Sequence, residues 1–169
     1  MSTAGDRVSA MRDHVYALAA AHGVTVEHRR AGGRAWRRSR RISIAPVRSG
    51  ITYLGALHEL GHVVSDGQRG GRRMEREADA WRWALDNAAV ELTPATYRNA
   101  YRCLCSYLHY AVRARLRGVT RGAIAVPEPD SDAWDVLDLL AQLGEVDTLE
   151  HARPPAAPRR AGRAVWWSA

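Results

Sequence analysis

The stretch 51–64 reads ITYLGALHELGHVV and contains the pattern His-Glu-x-x-His at positions 58–62. Positions four residues apart on a helix lie one turn apart on the same face. His58 and His62 can therefore direct two imidazole nitrogens at one ion. Glu59 lies beside the first histidine and can reach a metal-bound water without being a ligand itself. The pattern predicts a metal-binding helix.

The residues around the pattern are mostly apolar, which predicts a buried helix at about 51–65. Burying two imidazoles and a carboxylate without partners would cost free energy, and a cation would remove that cost. Gly61 lies within the helix, where glycine is about 1 kcal/mol less favourable than alanine. Its presence is easier to understand if another group approaches the helix backbone closely. The alternative interpretation is two solvated or core histidines beside a surface glutamate.

A second helix is predicted at about 73–90, and its first turns carry carboxylates. Catalytic zinc usually takes three protein ligands and leaves a fourth position for water. Glu75 and Asp79 are one turn apart. We predict Glu75 as the third ligand and Asp79 as the acceptor of a hydrogen bond from a ligand histidine. Glu77 is about 200° from Glu75 around the helix and is expected to point elsewhere. The alternative is that these residues form an ordinary solvated face.

Other candidates for the third ligand are Asp66, one turn beyond His62, and His109, which lies in a strong helical pattern downstream. We prefer Glu75, since carboxylates at helical spacing follow the histidine pair along the chain. The remaining histidines lie in segments without a matching partner and are interpreted as surface or structural residues: His14, His22, His28 and His151.

These two segments resemble the motifs of the ImmA/IrrE-type metallopeptidases, a bacterial and phage family of gluzincin-like enzymes. The family's second motif, Glu-x-x-Ala-(Asn/Ser/Asp)-x-Phe, matches Glu75, Ala78 and Asp79, and Trp81 replaces the phenylalanine. The resemblance spans about residues 8–90, without the family's Leu-Leu-x-Pro helix end and with a short gap between the motifs. It implies a zinc-dependent hydrolase, a regulatory protease that cleaves one specific intracellular protein such as a repressor.

The predicted mechanism is hydrolysis of a peptide bond with one catalytic zinc ion. The two histidines of the motif and Glu75 would hold the ion, which activates a water molecule and polarises the scissile carbonyl. Glu59 would take the proton of the water and pass it to the leaving amine. Tyr53 and Tyr97 are the candidate stabilisers of the oxyanion, and no organic cofactor is predicted.

The composition is that of a globular chain, with 169 residues, 46% hydrophobic residues and a net charge of +7. All 25 basic residues are arginine and phenylalanine is absent, which we interpret first as a coding bias. The pattern of elements predicts an α+β fold. A small N-terminal helix and an antiparallel β-ribbon would pack on a mostly helical, zincin-like core that contains the motif helix and the Glu75 helix.

We predict one metallopeptidase domain at 1–127, with its motif core at about 24–90 and a supporting helix at about 93–117. Residues 128–150 carry eight acids and no arginine, and they form a predicted acidic helical extension. Residues 151–169 are rich in proline and arginine, which is typical of a flexible tail.

The segment 29–41 holds seven arginines around Trp36. It predicts either contact with phosphate or an acidic protein, or only the outer face of a two-stranded ribbon. A competing hypothesis for the chain is therefore a non-catalytic binding module that contacts nucleic acid or an acidic protein through a retained zincin scaffold. A third hypothesis combines the two as a DNA-associated protease. No motif that reads nucleic acid is recognisable, and no pattern predicts the oligomeric state.

No apolar stretch approaches the roughly 20 residues that span a membrane, and the first residues lack the profile of a signal peptide. Cys103 and Cys105 are two residues apart on a predicted helix, so they point to different faces and are interpreted as two packed or free thiols. We therefore expect a cytoplasmic protein without a membrane partner.

Overall fold

Residues 4–69, 71–118 and 125–146 are described by the structure, which is a computed structural model. In chain order they form α1 (Ala4–Ala21), β1 (Thr25–His28), β2 (Gly33–Trp36), β3 (Arg41–Ile44), α2 (Gly50–Val64), a 3₁₀ helix (Asp66–Arg69), α3 (Arg73–Asp86), α4 (Pro94–Leu116) and α5 (Asp132–Gly144). None of these described helices is both long and apolar enough to cross a membrane. The predicted tail at 151–169, with His151, lies outside the described residues.

The α+β class is confirmed, but the sheet is mixed rather than an antiparallel ribbon. β2 and β3 pair antiparallel, and β1 adds to the other edge of β3 in parallel. Ile42, Ser43 and Ile44 are all buried, so both faces of β3 are covered. The backbone groups of such a strand need hydrogen-bonding neighbours on both edges. This requirement explains why β3 is the central strand.

α2 begins with a capping box. Ser49 Oγ accepts a hydrogen bond from Thr52 N at 3.3 Å, and Thr52 Oγ1 accepts one from Ser49 N at 3.0 Å. Two amide groups at the helix start are thereby satisfied. The helix packs against α3, α4 and the sheet. Four of its large side chains are almost fully buried: Tyr53, Leu54, Leu57 and Leu60. The motif therefore lies inside the fold.

α2 and α3 approach each other closely where Gly61 faces Ala80. A Cβ atom on Gly61 would lie 2.7 Å from the carbonyl oxygen of Ala80 and 3.0 Å from its Cα. Backbone atoms cannot move aside as the end of a flexible side chain can. The expected close approach to Gly61 is confirmed, and the approaching group is the backbone of the second site helix.

α5, part of the predicted acidic extension, packs against α3 and α4. Trp134 is only 1% exposed, and its indole N–H donates a hydrogen bond to Glu128 O at 2.8 Å. Arg98 donates to Gly144 O at 2.9 Å, which ties the end of α5 to α4. The extension therefore includes a helix whose apolar face is covered by the rest of the chain.

Candidate metal centre

Three atoms of the kinds that bind metals converge between α2 and α3. His58 Nε2 lies 3.1 Å from His62 Nε2, and Glu77 Oε2 lies 3.4 Å and 3.3 Å from these two nitrogens. His58 and Glu77 are buried, and His62 is partly buried. Among the described residues, this is the one group of three His, Cys, Asp or Glu side chains close enough to share a metal ion.

The spacing of these atoms fits a zinc ion. Zinc holds nitrogen and carboxylate oxygen at about 2.0–2.2 Å, so two ligands of a tetrahedral site lie about 3.3–3.5 Å apart. Glu77 Oε2 is buried and receives no hydrogen bond of normal geometry within the described part of the chain. Leaving such an oxygen unsatisfied is costly, and a cation would satisfy it together with the two nitrogens. The same donor set also suits other divalent transition metals.

The carboxylate at the histidine pair is Glu77 and not the predicted Glu75. Glu75 Oε2 accepts a hydrogen bond from Arg72 N at 2.7 Å, which is how a glutamate in the first turn caps a helix. Its side chain lines a separate cavity together with Asp66. The expectation that Glu77 points elsewhere is wrong. The two carboxylates do lie on different faces of α3, but the face toward α2 is that of Glu77.

A signal in the sequence could have identified Glu77. The buried stripe of α3 includes Met74, Ala78 and Trp81, which are spaced three or four residues apart. Glu77 follows Met74 by three residues and precedes Trp81 by four, so it belongs to the same stripe. A carboxylate within an apolar stripe is buried, and a buried charge needs a partner. The histidine pair on the preceding helix is the nearest such partner.

Asp79 is connected to the site through Gln68 rather than directly. Gln68 Oε1 lies 3.0 Å from His62 Nδ1, while Gln68 Nε2 donates to Asp79 Oδ2 at 2.8 Å and to Arg76 O at 2.6 Å. Ser65 Oγ also donates to Asp79 Oδ2, at 2.5 Å. This network assigns the His62 proton to Nδ1 and leaves a lone pair on Nε2 for a metal. The sequence carries no signal for Gln68, because the short 3₁₀ helix has no periodic pattern.

Glu59 adjoins the three converging side chains without being one of them. It lines two cavities, and His58 lines both with it. Gly33, the first residue of β2, makes room for it, since a Cβ atom there would overlap the Glu59 side chain. Burial raises the pKa of Glu59 to about 7, against the opposing effect of His62. The carboxyl group can therefore exchange a proton near neutral pH.

Charges within the cluster oppose the effect of burial. Burial disfavours the ionised form of Glu77, but the two facing imidazoles outweigh it and hold the pKa at about 2. Burial lowers the pKa of His58 to about 4. Burial also acts to lower the pKa of His62, but Glu77 and the hydrogen bond with Gln68 outweigh it and raise that pKa. Near neutral pH, Glu77 is thus ionised and His58 is neutral, as metal binding requires, whereas the raised pKa of His62 means that a metal ion must displace a proton from it.

The two tyrosines predicted as oxyanion stabilisers lie away from these cavities. Tyr53 is fully buried, and its hydroxyl lies 2.8 Å from His14 Nδ1 and accepts a hydrogen bond from Ala89 N at 3.0 Å. Tyr97 is partly buried and packs against the core. Neither side chain lines a cavity next to His58.

Tyr107 of α4 occupies the position expected for such a group. It lines both cavities beside Glu59, and the guanidinium of Arg73 lies over its ring at 4.9 Å from the centroid. Burial raises the pKa of its hydroxyl, and the charge of Glu77 raises it further, so the group keeps its proton. Its position depends on how α4 crosses α3, which no local pattern reveals.

The rival ligands and the other histidines lie outside the cluster. Asp66 and His109 are exposed, and neither belongs to the converging group. Two of the histidines interpreted as surface or structural residues contact tyrosine hydroxyls, His14 at Tyr53 and His28 at Tyr16.

Part of the arginine-rich segment is engaged in local contacts. The guanidinium carbons of Arg34 and Arg41 lie 5.1 Å and 4.3 Å from the centroid of the Trp36 ring. Arg41 also pairs with Glu27 at 3.3 Å. Binding of nucleic acid by the segment 29–41 stays a prediction.

Comparisons of the chain with family profiles, curated proteins and solved structures found no match. The resemblance to the ImmA/IrrE-type metallopeptidases therefore stays a prediction that rests on the two motifs.

Proposed function

We propose that this protein is a zinc-dependent metallopeptidase. The observation that carries the proposal is the convergence of His58, His62 and Glu77, with an unsatisfied carboxylate oxygen, beside a glutamate outside the ligand set. Two histidines and one carboxylate leave a fourth position open, as in catalytic zinc sites, whereas a structural site is closed by four protein ligands. An open cavity of about 410 Å³ beside the cluster supports a catalytic role.

Glu59 is the group that moves the proton. When bound, zinc supplies Lewis-acid activation of water and of the scissile carbonyl. The Glu59 carboxylate would accept a proton from the attacking water and then donate it to the leaving amine nitrogen, and burial, which raises the pKa of Glu59 in the metal-free chain, suits it to this exchange. A general base works best when its pKa lies near the working pH.

The neighbouring strand favours a peptide as the substrate. β2 is an edge strand, since β3 is its one hydrogen-bonded neighbour among the described strands. Gly33, Arg34 and Ala35 of β2 line the open cavity together with His58 and Glu59. An extended peptide can add to such an edge through main-chain hydrogen bonds. This mode of binding would bring the scissile bond to the cluster.

Tyr107 is the proposed hydrogen-bond donor to the oxyanion. Its hydroxyl is protonated, and the packing of Arg73 on the ring restricts its orientation. Removing one such donor costs about 10²- to 10³-fold in kcat. Tyr107→Phe should therefore lower kcat by this factor with little change in KM or zinc content, whereas Tyr97→Phe should leave kcat unchanged. Equal rates for the two variants would remove Tyr107 from the mechanism.

The proposed target is one specific intracellular protein, as the resemblance implies. Cys103 and Cys105 are not joined in a disulfide, which is consistent with the proposed cytoplasmic location. A protease with one target can be inactive on generic peptides, so the test must include whole proteomes.

The test expresses the wild type, Glu59→Gln and Glu75→Gln in a bacterial host and quantifies new protein termini by mass spectrometry. We expect the wild type and Glu75→Gln to give the same products. Glu59→Gln should give none, although it still binds one zinc ion per chain. Unchanged cleavage by Glu59→Gln would contradict the mechanism. A metal-free wild type that binds DNA with a steep salt dependence would favour the binding module instead.

A further inference from the structure

A second cavity, of about 370 Å³, opens beside His58 and Glu59, and the proposed reaction does not use it. It is bordered by the end of β3, the first half of α2, and α4. Most of its wall is apolar, through Ile44, Ala45, Ile51, Ala56 and Trp81. Ile51 is 43% exposed although it is a large apolar side chain. A continuous apolar wall with exposed surface is typical of a place where a ligand binds.

Apart from His58, Glu59 and Tyr107, which belong to the proposed active site, the polar residues in the wall do not suit a charged ligand. Thr52 Oγ1 is engaged in the cap of α2, where it accepts hydrogen bonds from Arg48 N and Ser49 N. Cys103 is a free thiol, which behaves as a small apolar group. Asn99 contributes one neutral amide. No arginine lines this cavity, in contrast to the open cavity along β2.

Gly55 determines how much space the cavity has. It lies one turn before Glu59 on the same face of α2, and an added Cβ atom would meet nothing within 4 Å. Gly61, in the same helix, is required by the close packing of α3. No such packing requires Gly55, although glycine in a helix costs about 1 kcal/mol relative to alanine. A ligand that occupies the open space accounts for this glycine.

We propose that this cavity receives one large apolar side chain, such as leucine, from the residue next to the scissile bond, and that Gly55 keeps the space open for it. The inference rests on the proposed function, because His58 and Glu59 border both cavities. The volume lies near the lower end of the range of about 300–1,000 Å³ for ligand pockets. It therefore has room for any single apolar side chain.

The test measures the binding of amino-acid hydroxamates, which chelate zinc and carry a side chain of defined size. Isothermal titration calorimetry on the zinc-loaded full-length chain compares glycine, alanine and leucine hydroxamate. One additional methylene group in an apolar pocket changes the preference for a ligand by about 10- to 200-fold. Leucine hydroxamate should therefore bind at least about tenfold more tightly than glycine hydroxamate. Gly55→Leu should abolish this preference and leave zinc content and glycine hydroxamate binding unchanged. Gly55→Ala, which improves helix propensity, should give an intermediate preference and serves as the second variant.

Equal affinities of the three hydroxamates for the wild type would overturn the proposal, as would a preference for leucine that survives Gly55→Leu. If none of the three binds the zinc-loaded chain, the pocket is overturned, and the measured zinc content decides separately on the metal centre. Cleavage of a proteome-derived peptide library separates the two proposals. Cuts beside leucine, isoleucine or methionine that shift to glycine or alanine in Gly55→Leu support both. Cuts without preference for side-chain size overturn the pocket alone. A leucine preference in binding overturns the peptidase alone when neither the library nor the proteome comparison of wild type and Glu59→Gln shows cleavage.

Discussion

Helix α3 carries carboxylates on two sides, and the two groups differ in burial and in partners. On the side toward α2, Glu77 meets two imidazole nitrogens within 3.4 Å. On the other side, Glu75 and Asp79 line a cavity of about 660 Å³ that also contains Asp66 and Asp132. The second group has more carboxylates, yet only the first brings ligand atoms close enough to share an ion, as far as the described residues extend.

The contrast arises from how each oxygen is satisfied. Glu75 accepts a hydrogen bond from Arg72 N, and Asp79 accepts hydrogen bonds from Ser65 and Gln68. Glu77 Oε2 is buried and has no hydrogen bond of normal geometry. Four other buried side-chain atoms within the described residues also have no hydrogen bond, so the informative feature is the convergence of Glu77 Oε2 with two imidazole nitrogens. Converging lone pairs in a buried space indicate a metal centre, and the number of carboxylates does not.

Exchange of Glu77 for glutamine should give the largest effect, because it removes a proposed ligand oxygen. Loss of a residue that only supports a ligand costs about 10- to 100-fold in metal affinity, so loss of the ligand itself should cost more than about 100-fold. Glu75→Gln is the matched control, since glutamine can still cap the helix, and its zinc affinity should equal that of the wild type. Competition with a chromophoric chelator measures both. Equal losses of zinc affinity in Glu77→Gln and Glu75→Gln would contradict the assignment of the metal centre to the Glu77 side of α3.

Glu59 of α2 lies beside the cluster that contains Glu77. Ionisation of Glu59 should destabilise the metal-free fold. Burial raises its pKa from 4.5 to about 7. The folded state therefore binds this proton more tightly than the unfolded state does. The resulting stabilisation is fully present below pH 4.5 and is lost as the pH rises through 7.

Glu59→Gln should consequently stabilise the metal-free chain at pH 8 and change little at pH 5. The expected gain at pH 8 is about 3–4 kcal/mol, from roughly 1.4 kcal/mol for each pH unit between the two pKa values of 4.5 and about 7. Urea unfolding in the presence of a chelator, at both pH values, measures it. A gain of the same size at pH 5 and pH 8 would show that ionisation of Glu59 is not the cause.

Periodicity was sufficient to locate the helices, but not to choose between their faces. The motif helix was predicted at about 51–65 and spans Gly50–Val64, because its apolar pattern and its cap are local features. The sequence correctly predicts that Glu75 and Glu77 lie about 200° apart around the helix. Which of them faces α2 depends on the packing of the two helices. The position of Tyr107 depends in the same way on how α4 crosses α3, so the sequence did not predict its place beside Glu59.

The close approach of α2 and α3 can be tested with two glycines of one helix. Gly61→Ala places a Cβ atom 2.7 Å from the Ala80 carbonyl oxygen, and such overpacking costs about 1–3 kcal/mol. Gly55→Ala meets no neighbour and should stabilise the chain by up to about 1 kcal/mol. Thermal unfolding should therefore shift in opposite directions. Zinc affinity should fall only in Gly61→Ala, because displacement of α3 withdraws Glu77. A stabilising Gly61→Ala would contradict the packing argument.

The smallest effect concerns Gln68, the residue that connects the two sides by contacting both His62 and Asp79. Gln68→Ala should lower zinc affinity by about tenfold, the low end for loss of a residue that orients a ligand histidine. Asp66→Asn, in the same 3₁₀ helix, is the control and should leave the affinity unchanged. If Asp79 acts only through Gln68, then Asp79→Ala combined with Gln68→Ala should be no worse than Gln68→Ala alone, since residues in one network are not additive. Full additivity of the two losses would mean that Asp79 supports the metal centre by a separate route, and the two sides of α3 would then be coupled more directly than the hydrogen bonds indicate.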